Sequence, residues 1–348
     1  MTTIQWDSGT AYDFFISLLE LHHAADFGLR PYWAAGVRQR LSDSKREVLE
    51  RFASYAPVPL DWISSLPEPK DSLPVLRYAV ELAPADRFRA LTLPLDTPPE
   101  VFETLERISK RGSATTIEKD FLSHTLNRSN TYLKAAGLDH LLKDWMNVEK
   151  SSEQLLMAFQ EYYSAFFSEE EFRIRPALLT GLENARELAG RLSLNSLVEE
   201  LSHGVHFEDI DNVQQLTLVP SYWSTPFVFH TNPAKGRTLI VFGCRPELQS
   251  VAPGAEISDS LVNALKSLAD PTRLRILRHL TGQPLTPTEL SHLLRLRPPT
   301  VLHHLHALRL AGLVAIRVSE GGEKRYAARD KAINVIFSSV KDFLNKQD

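Results

Sequence analysis

The segment Ala264–Ala327, ALKSLADPTRLRILRHLTGQPLTPTELSHLLRLRPPTVLHHLHALRLAGLVAIRVSEGGEKRYA, holds three short helical patterns and then two strand-like runs joined at Glu320-Gly321-Gly322-Glu323. Asp270-Pro271 sets a carboxylate at N-cap and a proline at N1, both suited to a helix start because the carboxylate accepts from free N–H groups and proline has none to waste. Leu274, Leu277 and Leu280 follow at helical spacing and predict a buried stripe. Gly282 suits the position just past that helix. Thr286 or Thr288 caps the next helix, with Leu290, Leu293 and Leu294 predicted to face inward. Pro298-Pro299 opens the third helix and Gly312 ends it; Val301, Leu305 and Leu308 form its buried stripe. Thr300 and His303 then fall on the outward side.

Helix–helix–helix–hairpin is the order of a winged helix-turn-helix, a fold that lays its third helix in the major groove of DNA. On that reading Thr300 and His303 are the base-reading candidates, with Leu302 and His304 beside them. Arg295 and Arg297 stand in the turn before the helix and Arg309 near its end, where each has the reach for a phosphate. Lys324 and Arg325 follow the wing tip, whose glycines permit the positive φ of a tight turn. Phosphate contacts of this kind position a protein without specifying sequence and make binding salt-dependent.

LADPTRLRILRHL, TELSHLL, TVLHHLHALRLAGLV and GGEKRYA together resemble the arsenic-repressor (ArsR) family of bacterial regulators. The resemblance covers about residues 258–344. It implies a dimeric repressor that leaves double-stranded DNA when an effector binds, with recognition helix Pro299–Gly312. It also implies pairing through the first and last helices of the module, here Asp259–Leu268 and Asp330–Asn345, whose Val262, Leu265, Val335, Ile336 and Val340 offer apolar surface. Leu302 departs from the family, which often has serine there; a leucine either touches a thymine methyl or packs. His304 matches the family's histidine before a buried leucine and so takes a structural or phosphate role. Long members with a helical body and a short sheet carrying a V-P-S segment, here Val219-Pro220-Ser221, resemble this chain in architecture. The cysteine pairs and last-helix histidines by which relatives sense metals are missing from residues 258–348.

The 348 residues are enough for two domains, and 43% hydrophobic with 24% charged residues is ordinary globular composition. The net charge of −4 is uneven. Residues 258–348 carry 14 basic against 8 acidic side chains, a net of +6, and the rest carry 25 against 35, a net of −10. A basic module on an acidic body suits a DNA reader with a partner domain. A single cysteine, Cys244, precludes an internal disulfide framework and fits a reducing cytoplasm. No signal peptide or membrane-spanning run is read. The expected division is residues 1–253, a mostly helical sensor and dimerisation domain, and residues 254–348, the winged helix.

Before the module, apolar periodicity predicts helices over Tyr12–Ala25, from Pro31 to about Leu41, and over Ser44–Tyr55. Trp6–Thr10 reads as a capped turn. Nine prolines between Pro57 and Pro99 chop the next part into short helices. A proline-free run follows and predicts longer ones to Phe167, with Gly137 ending one and starting another. Glu169–Ser193 continues, with Pro176 and Gly181 as candidate breaks. From Val213 the pattern alternates: Gln214–Pro220, Pro226–Thr231 and Arg237–Gly243 predict a small antiparallel meander near 213–243. The fold class expected is therefore mainly α with small β.

Tyr222, Trp223, Phe227 and Phe229 are candidates for the wall of an effector cavity and equally for core, as are Tyr162, Tyr163, Phe166 and Phe167. Two groups carry metal-ligand residue types, His203 and His206 with Glu208 and Asp209, and His22 and His23 with Asp26, but neither assembles a four-ligand site. No metal and no cofactor are expected. No phosphate loop, G-x-S-x-G or H-E-x-x-H occurs, so no catalysis is expected, and Cys244 reads as structural. The alternative organisation is an enzyme or protein-binding scaffold fused to the winged helix.

Overall fold

The computed structural model describes residues 2–126, 133–246, 249–253, 257–319 and 323–345, the side chains of 330 and 331 excepted. The wing tip proposed at Glu320-Gly321-Gly322 and the boundary at Gly254 lie outside the described residues. The chain is mostly helical with two small sheets. It opens with strand β1 (Thr3–Trp6), then α1 (Thr10–His22), α2 (Pro31–Arg38), α3 (Asp43–Ala53), α4 (Leu60–Ser65), α5 (Ser72–Glu81) and α6 (Pro84–Thr92). Next come α7 (Pro99–Arg111), α8 (Thr116–Leu126), α9 (Ala135–Trp145), α10 (Val148–Tyr162), a π-helical turn at Tyr163–Phe167, α11 (Ser168–Ala189) and α12 (Leu194–Leu201). Strands β2 (Val205–Phe207), β3 (Gln215–Ser221), β4 (Val228–Ala234) and β5 (Arg237–Gly243) complete the body.

Helix α1 is the axis of the body. Its residues from Thr10 to Leu21 are all buried, so its polar side chains lie inside too. Asp13 accepts from the Ser221 hydroxyl at 2.7 Å and from Trp223 N at 2.8 Å, and Ser17 shares a 2.9 Å bond with the Tyr162 hydroxyl. A buried charge costs more than a buried dipole; burial accordingly pushes the Asp13 carboxyl up to about 7 and holds Glu20 well above the usual carboxylate range. Pro176 and Gly181 do not break α11, which runs through both. Gly181 is small because Cys244 crosses it: a Cβ there would stand 2.4 Å from that of Cys244. Gly137 likewise lies inside α9 rather than between helices, and a Cβ there would be 2.1 Å from Ser54 O.

The sheet is mixed, which corrects the expected antiparallel meander. Its order is β1-β3-β5-β4, with β1 and β5 both parallel to β3 and only β4 antiparallel. The Tyr222–Phe227 segment carries the chain over, so β4 lands outside β5. Buried parallel strands read as near-continuous apolar runs because both faces are covered. Leu239–Phe242 is such a run: Leu239 and Val241 join the helical core, while Ile240 and Phe242 join a second cluster with Leu197, Val198, Leu216 and Leu218. Trp6 belongs to β1 and not to a turn.

The C-terminal part is α13 (Asp259–Leu268), α14 (Pro271–Leu280), α15 (Pro287–Leu294), α16 (Pro298–Leu310), β6 (Val314–Val318), β7 (Lys324–Ala328) and α17 (Asp330–Asn345). Local signals place its helices as expected. Asp270 caps α14 through Arg273 N at 2.9 Å, and Thr286 with Glu289 forms a full capping box on α15. Gly312 takes φ +67 just past α16. The core joins Ile276, Leu277, Leu280, Leu290, Leu294, Val301, Leu305 and Leu308. Leu274 and Leu293, expected inside, are 47% and 52% exposed; the buried face of α14 is set by Ile276, one position off the leucine count.

Candidate nucleic-acid interface

Helix α16 has three sides. Val301, Leu305 and Leu308 fill the module's core, Thr300, Leu302 and His303 are exposed, and His306 and Arg309 turn to the body. Arg295 and Arg297 are exposed at its start, Arg295 in the left-handed conformation that ends α15 and Arg297 at the N-cap of α16. A helix N-terminus ordinarily holds an anion by its free N–H groups. Here the first two positions are Pro298 and Pro299, which have none. Positive charge at this end comes from the two arginine side chains.

His304 is half-buried, its Nδ1 is buried without a hydrogen-bond partner, and its ring centroid lies 5.9 Å from that of His303. Burial lowers its pKa, against the pull of Asp270. It stands at the edge of the exposed face. On the wing Lys324 is exposed, while Arg325 is half-buried between Glu323 at 3.2 Å and Glu289 at 3.4 Å. The Arg325 charge is thus partly spent inside the module, through the carboxylate that completes the α15 capping box. Arg317, paired across the strands with Arg325, is exposed and was not singled out from the sequence; alternation along β6 is the signal that would have found it.

Arg309 does not face DNA. It is 4% exposed and donates to His203 O at 2.6 Å, Ser202 O at 2.8 Å and Pro226 O at 3.2 Å, all in the body. Burial, and after it the charge of Arg329, lower its pKa to about 10. The wheel carries a usable warning: Arg309 is nine residues past Thr300, two and a half turns, which is the opposite side. Next to it His306 stacks on Phe227, ring centroids 6.0 Å apart. The body also lends a strand to the wing, since β2 pairs in parallel with β6, Val205 opposite Ile316, to give the order β2-β6-β7. Arg30 closes the third attachment, Nε to Asp259 Oδ1 at 2.7 Å.

Of the aromatic residues proposed as effector contacts, Tyr222 and Trp223 are core, and Phe227 and Phe229 pack half-buried against it. Tyr222 and Trp223 are fully buried; Trp223 donates to Glu170 Oε1 at 3.0 Å, and Tyr222 accepts from Arg173 at 2.8 Å and donates to Ser250 O at 3.1 Å. Phe227 and Phe229 pack on Phe27. None of the four lines the cavity of about 200 Å³ that lies where α13, α17 and the end of α16 meet the body. His203 belongs to that wall and His206 to β2, so the first histidine group serves the joint. Burial pushes the Cys244 thiol up, away from nucleophile chemistry. Among the described residues no cluster of three or more His, Cys, Asp or Glu side chains could hold a metal, and no helix is long and apolar enough to cross a membrane.

The family model described as a helix-turn-helix domain matches residues 268–317, a span that takes in α14, α15, α16 and most of β6. No curated protein matches the chain, and no solved structure does. The C-terminal part of this chain is a helix-turn-helix DNA-binding module, and the chain reads as a DNA-binding regulator.

Proposed function

We propose that the chain is a homodimeric transcriptional repressor of the arsenic-repressor type, without catalytic activity, whose body senses a non-metal ligand. The observation that carries the reading is the exposed face of α16, with Thr300, Leu302 and His303 between Arg295 and Arg297 at one end and Lys324 on the wing. Thr300 and His303 read bases and the cations hold phosphates. Dimerisation is supported by α13 and α17, which pack together and leave Leu265, Val335, Phe337 and Leu344 exposed. A two-fold pair sets its recognition helices about 34 Å apart, in successive major grooves.

A gel shift with the chain's own promoter region, repeated at several salt concentrations, tests this. The expected result is a sequence-dependent shift that weakens steeply with salt. Absence of a salt-sensitive shift on every promoter fragment overturns the DNA reading, and a monomer in sedimentation at the same concentration overturns the dimer.

A further inference from the structure

A cavity of about 200 Å³ is lined by both halves of the chain. Body segments supply Phe27, Leu29, His203, Pro226 and Arg245. The module supplies Asp259 and Ala264 of α13, Leu310–Gly312 at the end of the recognition helix, Arg329, and Ala332 and Ile336 of α17. Its size is a little above the ~150 Å³ in which an apolar engineered cavity holds one benzene ring.

The polar part of the wall mixes neutral side chains with two guanidiniums and one carboxylate. Arg245 and Arg329 both line it, and the one carboxylate there, Asp259, already accepts from Arg30 and from the Ser250 hydroxyl. Arg245 donates from Nη2 to Thr225 O at 2.7 Å, but its Nη1 is buried with no hydrogen-bond partner. His203 also has a buried Nε2 without a partner, but burial lowers its pKa to about 4 and its other ring nitrogen bonds the Gly243 backbone, so Nε2 of the neutral ring is an acceptor. Glu20 acts on Arg245 from the body side; burial holds the Glu20 carboxyl well above the usual carboxylate range and lowers the Arg245 guanidinium. An unpaired buried guanidinium donor at the wall of a cavity that also carries apolar side chains is the pattern of a ligand site: apolar walls and a few convergent polar groups.

We propose that this cavity binds a small organic monocarboxylate with an apolar body of about one ring or a short acyl chain, its carboxylate on Arg245 and its apolar end among Phe27, Leu310, Ala332 and Ile336. The proposal rests on the sensing role given to the body, and it moves the ligand from the aromatic strand to the joint with the module. A guanidinium prefers a carboxylate because its planar donors match two oxygens at once. The apolar remainder of the wall selects against inorganic phosphate. A ligand seated there touches the C-terminal end of α16 and both α13 and α17, the elements on which DNA reading and dimerisation depend.

The test is thermal unfolding and calorimetric titration of the full chain without DNA, using phenylacetate, hexanoate, their neutral amides and inorganic phosphate as probes. Expected are a rise of several degrees in the unfolding midpoint with millimolar phenylacetate or hexanoate, at least tenfold weaker binding of the amides, and none of phosphate. Arg245→Gln should weaken carboxylate binding tenfold or more. Ala332→Phe, which fills the cavity and leaves the charges in place, should abolish it even if the arginine variant folds poorly. Equal binding of acids and amides, undiminished binding by Ala332→Phe, or no shift with any probe overturns the proposal. None of these readouts involves DNA, so a failed gel shift and a failed titration are separate results. A gel shift repeated at saturating carboxylate then shows whether the site is coupled to DNA.

Discussion

Replacing Arg309 by methionine removes the fork that ties the recognition helix to the body while keeping chain length and apolar bulk. Three body carbonyls, those of Ser202, His203 and Pro226, lose their donor. Charge-assisted bonds are worth about 1.5–3 kcal/mol each, and the guanidinium no longer has to be desolvated, which offsets several kcal/mol. The balance is a loss of about 2–4 kcal/mol, confined at first to the joint. The next residue, Gly204, accepts from Ile316 N at 2.8 Å in the β2–β6 ladder, and Glu208 N donates to Val318 O at 3.1 Å. Hydrogen exchange at Ile316 and Glu208 should therefore quicken by roughly 30- to 700-fold, taking 1.4 kcal/mol per factor of ten. Amides of α1 should quicken much less. Lysine at 309 should not rescue, because one ammonium cannot span carbonyls from two separate segments. If the α1 amides accelerate as much as Ile316, or if neither changes, Arg309 is not the bolt of this joint and the reasoning fails.

Three further outcomes follow from single sites. Arg295→Ala and Lys324→Ala should weaken binding to all sequences alike and lower the salt slope by about one each, whereas Thr300→Ala should relax base preference at one position; a fluorescence-anisotropy series over operator variants that shows the reverse exchanges their roles. His22 is half-buried, with Nδ1 bonded to Leu18 O at 2.8 Å and a buried Nε2 unpaired, and desolvation lowers its pKa to about 4. Its folded-state pKa lies below the ordinary 6.5, so the unfolded chain takes up the proton first and stability falls as pH drops through that window, by about 2 kcal/mol at about pH 5. His22→Gln should lose this dependence, so denaturation curves of the two proteins should draw together or cross between neutral pH and pH 5; a constant gap refutes it. Gly137→Ala should destabilise by about 1–3 kcal/mol in urea unfolding, because its Cβ would fall 2.1 Å from Ser54 O and the overpacking outweighs the helix gain of about 0.5–1 kcal/mol. A stabilised variant would mean that α9 shifts freely against the turn after α3.

Local chemistry explains what could be read from the chain and what could not. The module's helix starts rest on contacts three residues apart, Asp270 to Arg273 and Thr286 to Glu289, so they are written in the sequence where they act. The outward position of Thr300 and His303 follows from period alone. Strand direction does not: the parallel pairing of Gln215–Ser221 with Arg237–Gly243 is decided by where the intervening segment crosses, and nothing in either run encodes it. Thr3–Trp6 is a strand only because Gln215–Leu218 lies beside it. Helix α1 looked amphipathic, yet its Asp13, Ser17 and Glu20 are inside because partners more than a hundred residues away come to meet the first two. Tyr222 and Trp223 have the composition of a pocket wall and of a core alike; only their burial against α11 separates the two readings. The cavity was not legible at all, since its wall is drawn from residues as far apart as Phe27 and Ser339.

The joint constrains how any signal can reach DNA. A winged helix on a loose tether would read its operator regardless of what the body holds. Here the wing shares a sheet with body residues Val205–Phe207, the recognition helix is forked to Ser202, His203 and Pro226, and Arg30 holds the start of α13. Body and module therefore move together or the attachments break, and each attachment costs enough that a discrete second arrangement is required rather than a gradual drift. A ligand can favour one arrangement only by binding it better. Since binding free energies are reciprocal, operator DNA must change carboxylate affinity by the same factor by which carboxylate changes operator affinity. Titrating phenylacetate into the protein with and without a saturating operator duplex measures one factor, and titrating the duplex with and without phenylacetate measures the other. Two equal factors below one show that the carboxylate and the operator oppose each other, as a repressor released by its effector requires, and two factors of one separate the cavity from regulation while leaving both binding sites intact.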